Sequence, residues 1–377
     1  MFMGIDEKYN EYKKLFYKYF IKKAYHNVKG SNIPLSLINL DNLYGEMGDG
    51  TINLSLYMQY IYTEYVLDNV GLEDLVSPLG TLQRLIDSCY ELFVKKFPGV
   101  YFKFEDGFFL RDDVSSDMAS DFNLNYINTG YSTGIERINE DPCFSPFTSQ
   151  DQIWHLIPIL RFLLYKGIYN NTCSSLGKNI TGYVVKNKHI IYNPYYSALY
   201  HNWTYLHIFE PFSQRIAERN SKLKYTIKVK RGANNWYLAY GFKKAYNRFG
   251  GKCKTFLSSL WYKPFIFLAD RIYHPYICKW FKLPVKNTSY YSLGEDAWYN
   301  NKFEDRLIKK FNESLKTSEL FMPQLVFLTK NRHKINLDLV EKWLNNYPEV
   351  PKSGIIKSPL EFMIIYNWYN IIKNELQ

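Results

Sequence analysis

Acidic side chains recur at three points where a turn-rich segment meets an apolar, helical pattern. The first is Asp49, between two glycines, and the second is the run Asp112–Asp113 inside a long polar stretch. The third is Asp151, just before the apolar run that starts at Ile153. Two carboxylates on opposite sides of a sugar can act as acid and base on a glycosidic bond, and their separation decides whether water or the enzyme attacks the anomeric carbon. The pattern predicts an acid–base site if the three segments meet.

Each of these aspartates also has a purely structural interpretation. Asp151 lies in the first turn of a predicted helix, where the helix dipole favours an acidic side chain whatever its chemistry. Asp112 and Asp113 could be turn formers or partners of Arg111, and Asp49 could serve only its glycine-rich turn. The candidates for this acid–base work are Asp49, Asp112, Asp113 and Asp151. The predicted ligand-binding side chains nearby are Asp49, Arg111, Asp112, Gln152, Trp154 and His155.

Helices are predicted to hold these segments in place. The periodicity predicts helices over Tyr9–Tyr25, over Ile52–Asp68 with Thr51 as N-cap, and over Leu79–Phe97, which Pro98-Gly99 ends. No sustained periodicity follows between Asp106 and Thr148, a stretch too long for a mere connection and therefore a candidate functional loop.

The loop leads into a helix predicted over Gln150–Gly167. Ser149 and Gln152 fit a capping box at its start, and the sequence that follows is apolar nearly all round, which is typical of a helix buried on most sides. Pro158 is expected to kink this helix or to leave one of its carbonyl groups free.

The remaining chain is also predicted to be mainly helical, with minor β additions. Short strands are predicted over Tyr183–Tyr192 and Tyr225–Val229. Further helices are predicted over Asn234–Phe249, parts of Lys254–Phe281, Gly294–Phe311, Leu337–Asn346 and Pro359–Lys373. The absence of a low-complexity linker favours one domain over 1–377, with 1–45 as a candidate N-terminal helical extension. The architecture predicted is one of paired helices.

Composition limits the classes of partner. The 377 residues carry a net charge of +11 with a pI near 9.1, which favours an anionic partner such as an acidic glycan. The basic residues are dispersed, so nucleic acid is disfavoured. The N-terminus lacks the apolar core of a secretory signal, and no 18-residue window is apolar and uncharged, so we expect a cytoplasmic protein without a membrane span.

No metal site or cofactor is expected. The five cysteines are scattered and odd in number and contain no C-x-x-C pair, so we expect reduced thiols. His201 and His207 are six residues apart, a poor spacing for two ligands on one helical face. Phosphate-binding and dinucleotide-binding glycine motifs are absent.

The second half offers further candidate ligand-binding residues on an aromatic-rich stretch and at the start of one later helix. Aromatic side chains with polar tips suit a sugar-binding wall, although ordinary helix packing is the alternative. These candidates are Tyr195, His201, Trp203 and Glu295.

Three segments together resemble a known superfamily. GDGTINLSLYMQYIYTEY, DGFFLRDDV and SQDQIWHLIPIL, within roughly residues 45–165, are similar to the six-hairpin (α/α) toroid proteins related to glycosidases and unsaturated-uronyl hydrolases. The resemblance implies a closed ring of helical hairpins whose active site lies at one mouth and uses carboxylates and stacking aromatics. Carried over by position, Asp113 of RDDV and Asp151 of SQDQ would be catalytic. The second half shows no complete catalytic signature.

Two classes of function stay open at this point. The first is a glycoside hydrolase or lyase that acts on a glycan. The second is a non-catalytic structural or receptor-binding module, for instance a phage virion or tail component that contacts other virion proteins. An enzyme needs two carboxylates facing one open pocket, whereas side chains or a partner would plug the mouth of a structural module.

Overall fold

The computed structural model describes residues 3–96, 107–129, 150–186, 308–309, 311–315, 323–328 and 332–376. The chain divides into two compact units, the first formed by Met1–Gly99, Phe104–Asn179 and Glu304–Gln377. Apart from residues 180–186, everything described lies in this first unit. A single domain over the whole chain stays a prediction.

The described part is mainly helical, as predicted, with one small sheet. Its helices are α1 (Ile5–Leu15, extended by a π-helical turn Phe16–Phe20), α2 (Gly50–Val66), α3 (Val76–Lys96), α4 (Gln150–Tyr165), α5 (Asn170–Lys186), α6 (Leu337–Asn346) and α7 (Leu360–Leu376). Shorter 3-10 turns span Leu72–Leu75, Ser116–Phe122, Pro323–Leu328 and Arg332–Lys334. The strands are β1 (Leu37–Asn39), β2 (Tyr44–Met47), β3 (Tyr126–Thr129) and β4 (Ile355–Lys357).

Helix α2 is the centre of this unit. Its side chains are buried from Gly50 to Glu64, with Leu56 as the one half-buried position in that stretch. Helices α3, α4 and α7 pack against it, and α1 covers another side through Tyr9 and Phe16. A helix buried on all sides is expected to be apolar all round, and the few polar side chains of α2 must therefore find partners inside the protein.

Helices α2, α4 and α7 run in the same direction; we call them the parallel trio. The C-terminal ends of α2 and α4 lie together, because the Tyr169 hydroxyl after α4 donates to the Leu72 carbonyl after α2 at 3.2 Å. The start of α7 lies beside the start of α2: the Ser358 N–H donates to the Ser36 carbonyl at 2.8 Å, and the Ser36 hydroxyl accepts from the Gly48 N–H at 2.9 Å. The trio therefore brings three helix N-termini to one end of the unit.

Helices α1 and α6 run opposite to α7. The Tyr366 hydroxyl donates to Asp6 at 2.8 Å, and Tyr12 lies 5.2 Å from Phe362, so α1 and α7 are antiparallel. The ring of Tyr347, just after α6, stacks on Phe362 at 4.5 Å. Residues 1–45 thus contain a helix packed against α7, together with β1 and the start of β2.

The sheet lies at the N-terminal end of the trio. Its strand order is β3-β2-β1-β4, with β1 antiparallel to both neighbours and β2 parallel to β3. Ile38 of β1 pairs with Ile356 of β4, across more than 300 residues of chain. Strand β2 leads directly into α2 and β4 into α7, so the sheet fixes where two of the three helices begin.

Some predicted elements are confirmed and others are wrong. Leu337–Asn346 is helical as predicted. Thr51 is not the N-cap of α2, because the helix already begins at Gly50 and the Asn53 N–H bonds the Asp49 carbonyl at 3.0 Å. The strand predicted from Tyr183 is wrong for residues 183–186, which continue α5. Within the long loop, residues 107–129 contain a 3-10 turn and β3.

Several other predictions fall outside the described residues. These are the strand Tyr225–Val229, the remainder of the strand to Tyr192, and the helices predicted over 234–249 and 254–281. Across the stretches that the structure describes, none of the helices combines the length and the hydropathy needed to cross a bilayer.

Candidate functional site

The long loop packs against the first turn of α2, where two of the three predicted acidic segments meet. A Cβ atom placed on Gly50 would lie 2.5 Å from the Arg111 carbonyl oxygen and 2.8 Å from the Asp112 Cβ. Such distances are shorter than any real Cβ contact, so only glycine allows the loop this close an approach. The predicted convergence of Asp49 with Arg111 and Asp112 is therefore present in the backbone.

Asp113 forms a bidentate ion pair with Arg84, a residue that no sequence pattern singled out. The Arg84 Nε donates to one carboxylate oxygen at 2.7 Å, and its Nη2 donates to the other at 3.0 Å. The Gly30 N–H also donates to Asp113 at 3.1 Å, and the carboxylate is 3% exposed. These contacts are those of a buried charge that fastens the loop to α3, and the catalytic role of Asp113 stays a prediction.

Arg84 joins three separate segments. Its guanidinium also donates to the His26 carbonyl and, at 3.2 Å, to the Ser31 carbonyl. One side chain thus ties the turn before β1 and the loop 107–115 to the middle of α3. A planar, five-donor guanidinium is suited to such a junction, whereas lysine could not match the carboxylate in the same two-pronged way.

The other two polar residues of this loop segment differ in exposure. Asp112 is fully buried, and one of its oxygens accepts from the Val114 N–H at 3.3 Å, which closes a tight local turn. Arg111 is partly exposed, as is Asp49. Of the predicted site residues in these two segments, Asp49 and Arg111 are therefore the two that solvent reaches.

The third predicted segment opens α4. Gln152 and His155 are 0% and 1% exposed, so both side chains lie in the interior on this helix. The side chains of Asp151 and Trp154, like Ser149, lie outside the described residues. Their predicted roles, and the capping box at Ser149, stay predictions.

Two layers of side chains cross the parallel trio, one aromatic and one polar. Tyr62 of α2, Phe162 of α4 and Trp368 of α7 form an aromatic layer, with ring centroids 4.9 Å apart for the first pair and 6.0 Å and 6.2 Å for the contacts of Trp368. These contacts fix which face each helix turns toward the others.

Seven residues are two helical turns, so the residue seven positions earlier lies on nearly the same face, about 10 Å nearer the N-terminus. Those residues are Ser55 on α2, His155 on α4 and Glu361 on α7, which we call the polar layer. Helical geometry thus brings a hydroxyl, an imidazole and a carboxyl to one level of the trio. Sequence patterns did not single out Glu361, because only the contacts of Trp368 show which face of α7 it shares.

Glu361 is in an environment that favours its neutral form. Burial raises the pKa of its carboxyl to about 7, and the nearby Lys357 opposes that effect only in part. Glu361 is half-buried as a residue and lies in the first turn of α7. A carboxyl group that titrates near neutral pH can give up a proton under physiological conditions, as a general acid must.

Helix α2 presents further buried polar groups on the face that carries Tyr62. Thr51 is 0% exposed and Gln59 is 1% exposed. Among the residues that the structure describes, neither the Thr51 hydroxyl nor the Gln59 amide nitrogen has a hydrogen-bond partner, and an unpaired polar group costs free energy in a protein interior. Along α2, Thr51 and Gln59 both lie between the start of the helix and Tyr62 of the aromatic layer.

A second polar cluster lies toward the other end of α2. The fully buried Glu64 accepts hydrogen bonds from Tyr9 at 2.5 Å and from Asn367 at 2.8 Å, and it forms an ion pair with Lys13. Burial would raise the pKa of Glu64, but the hydrogen bonds from Lys13 and Tyr9 outweigh it and leave that pKa below its ordinary value. This cluster joins α1, α2 and α7.

The four predicted binding residues of the second half lie outside the described residues: Tyr195, His201, Trp203 and Glu295. Within the described ranges, no group of three or more His, Cys, Asp or Glu side chains could hold a metal ion. The thiols of Cys89 and Cys173 are buried.

Comparisons of the chain with protein-family models, with curated proteins and with solved structures return no match. The relationship to six-hairpin proteins therefore rests on the three sequence segments and stays a prediction.

Proposed function

We propose that this chain is a carbohydrate-active protein, a glycoside hydrolase or lyase whose site lies at the N-terminal end of the parallel trio. The observation that carries the proposal is the convergence of three parallel helix starts with the segment Arg111–Asp112, which packs on Gly50. Helix N-termini and their preceding loops are where the predicted toroid would carry its active site. The net charge of +11 favours an acidic glycan as the substrate.

Within this proposal, Asp151 is the stronger of the two catalytic candidates. Asp113 has both carboxylate oxygens engaged by Arg84 and is almost fully buried, so a sugar would have to displace that ion pair to reach it. Asp113 is better suited to positioning the loop that carries Arg111 and Asp112. Asp151, in the first turn of α4, stands at the end where the three helices start.

A non-catalytic glycan-binding or structural module is the second candidate. Its supporting observation is the burial of Asp112 and Asp113, which leaves both acidic groups of this loop away from solvent. A binding module needs no accessible carboxylate pair. Neutral hydrogen-bond donors and aromatic surfaces are enough to hold a sugar.

The test is a panel of acidic and neutral glycans incubated with the wild-type chain, Asp151→Asn and Asp338→Asn. Release of reducing ends measures hydrolysis, and ultraviolet absorbance of an unsaturated product measures elimination. Asp338 is the matched control, because it also occupies the second position of a helix but is exposed at the start of α6.

We expect wild type and Asp338→Asn to release the same products, and Asp151→Asn to be slower by about 100-fold or more, the usual contribution of one acid–base group. Equal activity of all three chains would remove Asp151 from the site. Binding to a glycan array without any cleavage would establish the second candidate instead.

A further inference from the structure

We propose that Lys166 and Arg332 form a binding site for an oxyanion of the phosphate or sulfate type, beside the rings of Phe162 and Trp368. The site lies toward the C-terminal ends of α4 and α7, away from the end of the trio that carries the proposed glycan site. It goes beyond the proposed function and does not depend on it.

Two cations pack on one pair of aromatic rings. Phe162 of α4 and Trp368 of α7 meet edge to face, with ring centroids 6.2 Å apart. The Lys166 ammonium, just after α4, lies 5.7 Å from the centroid of the Phe162 ring. The guanidinium carbon of Arg332 lies 5.3 Å from the centroid of the Trp368 ring. Cation–π attraction holds each charge on its ring, and because the rings are in contact, the two charges are held close together.

Arg332 uses little of its hydrogen-bonding capacity. A guanidinium carries five N–H donors and no acceptor. Among the described residues, its hydrogen-bond partner is Glu375, which accepts from Nη2 at 2.7 Å, while the buried Nε has no partner there. Arg84 shows the complete pattern, because its Nε and Nη2 both bind the Asp113 carboxylate. The edge of Arg332 that suits an oxyanion is therefore only half used.

The described groups that act on this place carry more positive than negative charge. Lys166 and Arg332 supply two cations, and Glu375 supplies one carboxylate. Burial, together with the charge of Arg332, lowers the pKa of the Lys166 ammonium, and Glu375 opposes this effect only in part. The Tyr62 phenol nearby adds no charge at neutral pH, since burial raises its pKa to about 12. An anion bound by both cations would relieve their repulsion.

The pairing of an arginine with a lysine favours a phosphate or sulfate group. Arginine binds such groups through parallel N–H bonds, and lysine binds them as a point charge. The oxygens of a tetrahedral oxyanion point in several directions, so one can approach the guanidinium while another approaches the ammonium. Lys166 is exposed and the Arg332 side chain is 16% exposed, so both cations are accessible from solvent.

The experiment measures the binding of inorganic phosphate and inorganic sulfate to the full chain by isothermal titration calorimetry. Sodium chloride keeps the ionic strength constant. Phenyl phosphate is a third probe, which distinguishes a free ion from a phosphate group on a larger molecule. The variants are Arg332→Gln, Arg332→Lys and Lys166→Gln. Lys14→Gln is the matched control, because Lys14 also lies beside a glutamate but its side chain on α1 is 74% exposed.

We expect wild type and Lys14→Gln to bind phosphate and sulfate with the same affinity. Arg332→Gln and Lys166→Gln should each weaken binding by about 10-fold or more, because each removes a charge-assisted contact. Arg332→Lys keeps the charge but loses the planar edge, so its affinity should lie between those of wild type and Arg332→Gln. Binding of phenyl phosphate with the same dependence on both cations would identify the ligand as a phosphate group on a larger molecule, and its rejection would identify a free ion.

A wild-type chain that binds neither phosphate nor sulfate would overturn the site. Affinities that Arg332→Gln and Lys166→Gln leave unchanged would also overturn it, since the anion would then respond only to the net charge of +11. Thermal unfolding without anion identifies a folding defect in the arginine variants. Lys166 is exposed, so Lys166→Gln tests the site even where an arginine variant fails to fold. These results are independent of glycan cleavage, so the site and the proposed function can fail separately.

Discussion

At the scale of single residues, Arg84 and Asp113 form the ion pair on which the acidic loop depends. Their side chains are 12% and 4% exposed, so removal of the arginine would leave a buried carboxylate without its counter-charge. Breaking such a pair typically costs about 3–5 kcal/mol, whereas replacing both partners by apolar groups is often much less costly.

We therefore expect Arg84→Met to lower the free energy of unfolding by about 3–5 kcal/mol, measured by urea denaturation. The double variant Arg84→Met with Asp113→Leu should recover part of that loss. Additive losses in the double variant would contradict a direct interaction between the two charges.

Glu64 makes the stability of the unit depend on pH. Its pKa is lowered in the folded state from its ordinary value of 4.5, so its stabilising contribution is present above that value and is lost as pH falls through the lower, folded value. Glu64→Gln cannot titrate, and it also loses the ion pair with Lys13.

We expect Glu64→Gln to be less stable than wild type at neutral pH by about 1–3 kcal/mol. The difference should shrink steadily when the urea midpoint is measured below pH 4.5. A difference that stays constant with pH would show that Glu64 does not titrate as its contacts predict.

At the scale of elements, one lysine of α1 caps the end of α6. The buried Lys8 ammonium donates to the carbonyls of Leu344, Asn345 and Tyr347 at 3.3, 3.0 and 2.5 Å. The last carbonyls of a helix lack partners within the helix, and a cation there is also favoured by the helix dipole. Lys8 thereby joins the first helix to the C-terminal hairpin.

Lys8→Met should lower the thermal midpoint, with a loss of about 1–3 kcal/mol from the unsatisfied carbonyls. Lys14→Met is the matched control, because the Lys14 side chain on the same helix is 74% exposed and should contribute less than about 0.5 kcal/mol. An equal effect of the two substitutions would argue against the capping role.

The elements also show which parts of the fold can be predicted from local sequence patterns. The periodicity of α2, α3, α4 and α6 was sufficient to predict those helices, because each has ends marked by glycine, proline or polar residues. The sheet could not be predicted, since its strands are three or four residues long and pair across distances such as Ile38 to Ile356. Short strands of this kind are defined by their partners and carry too few residues for a period-two pattern.

Only part of the candidate site could be predicted from the sequence. The meeting of Asp49 with Arg111–Asp112 followed from the idea that helix starts and their loops converge, and Gly50 is the residue that permits it. Arg84 was missed because its partner lies 29 residues away on another element. Glu361 was missed because only the contacts of Trp368 reveal which way α7 faces.

At the scale of the whole molecule, the first and last helices complete one core. Tyr9 stacks on Tyr366 at 4.1 Å, and Glu64 receives hydrogen bonds from both α1 and α7. Both helices also pack on α2. The cluster around Glu64 supplies stability toward one end of α2, and the proposed site lies at the other.

Hydrogen–deuterium exchange in the presence of the best glycan tests the central claim most directly, because it locates a ligand whether or not cleavage occurs. We expect slowed exchange in peptides that cover residues 48–54, 107–113 and 150–156, with no change in the peptide that covers residues 68–76 at the opposite end of α2. Protection confined to residues 68–76, or protection of none of these peptides while the glycan is bound, would contradict a site at the N-terminal end of the parallel trio.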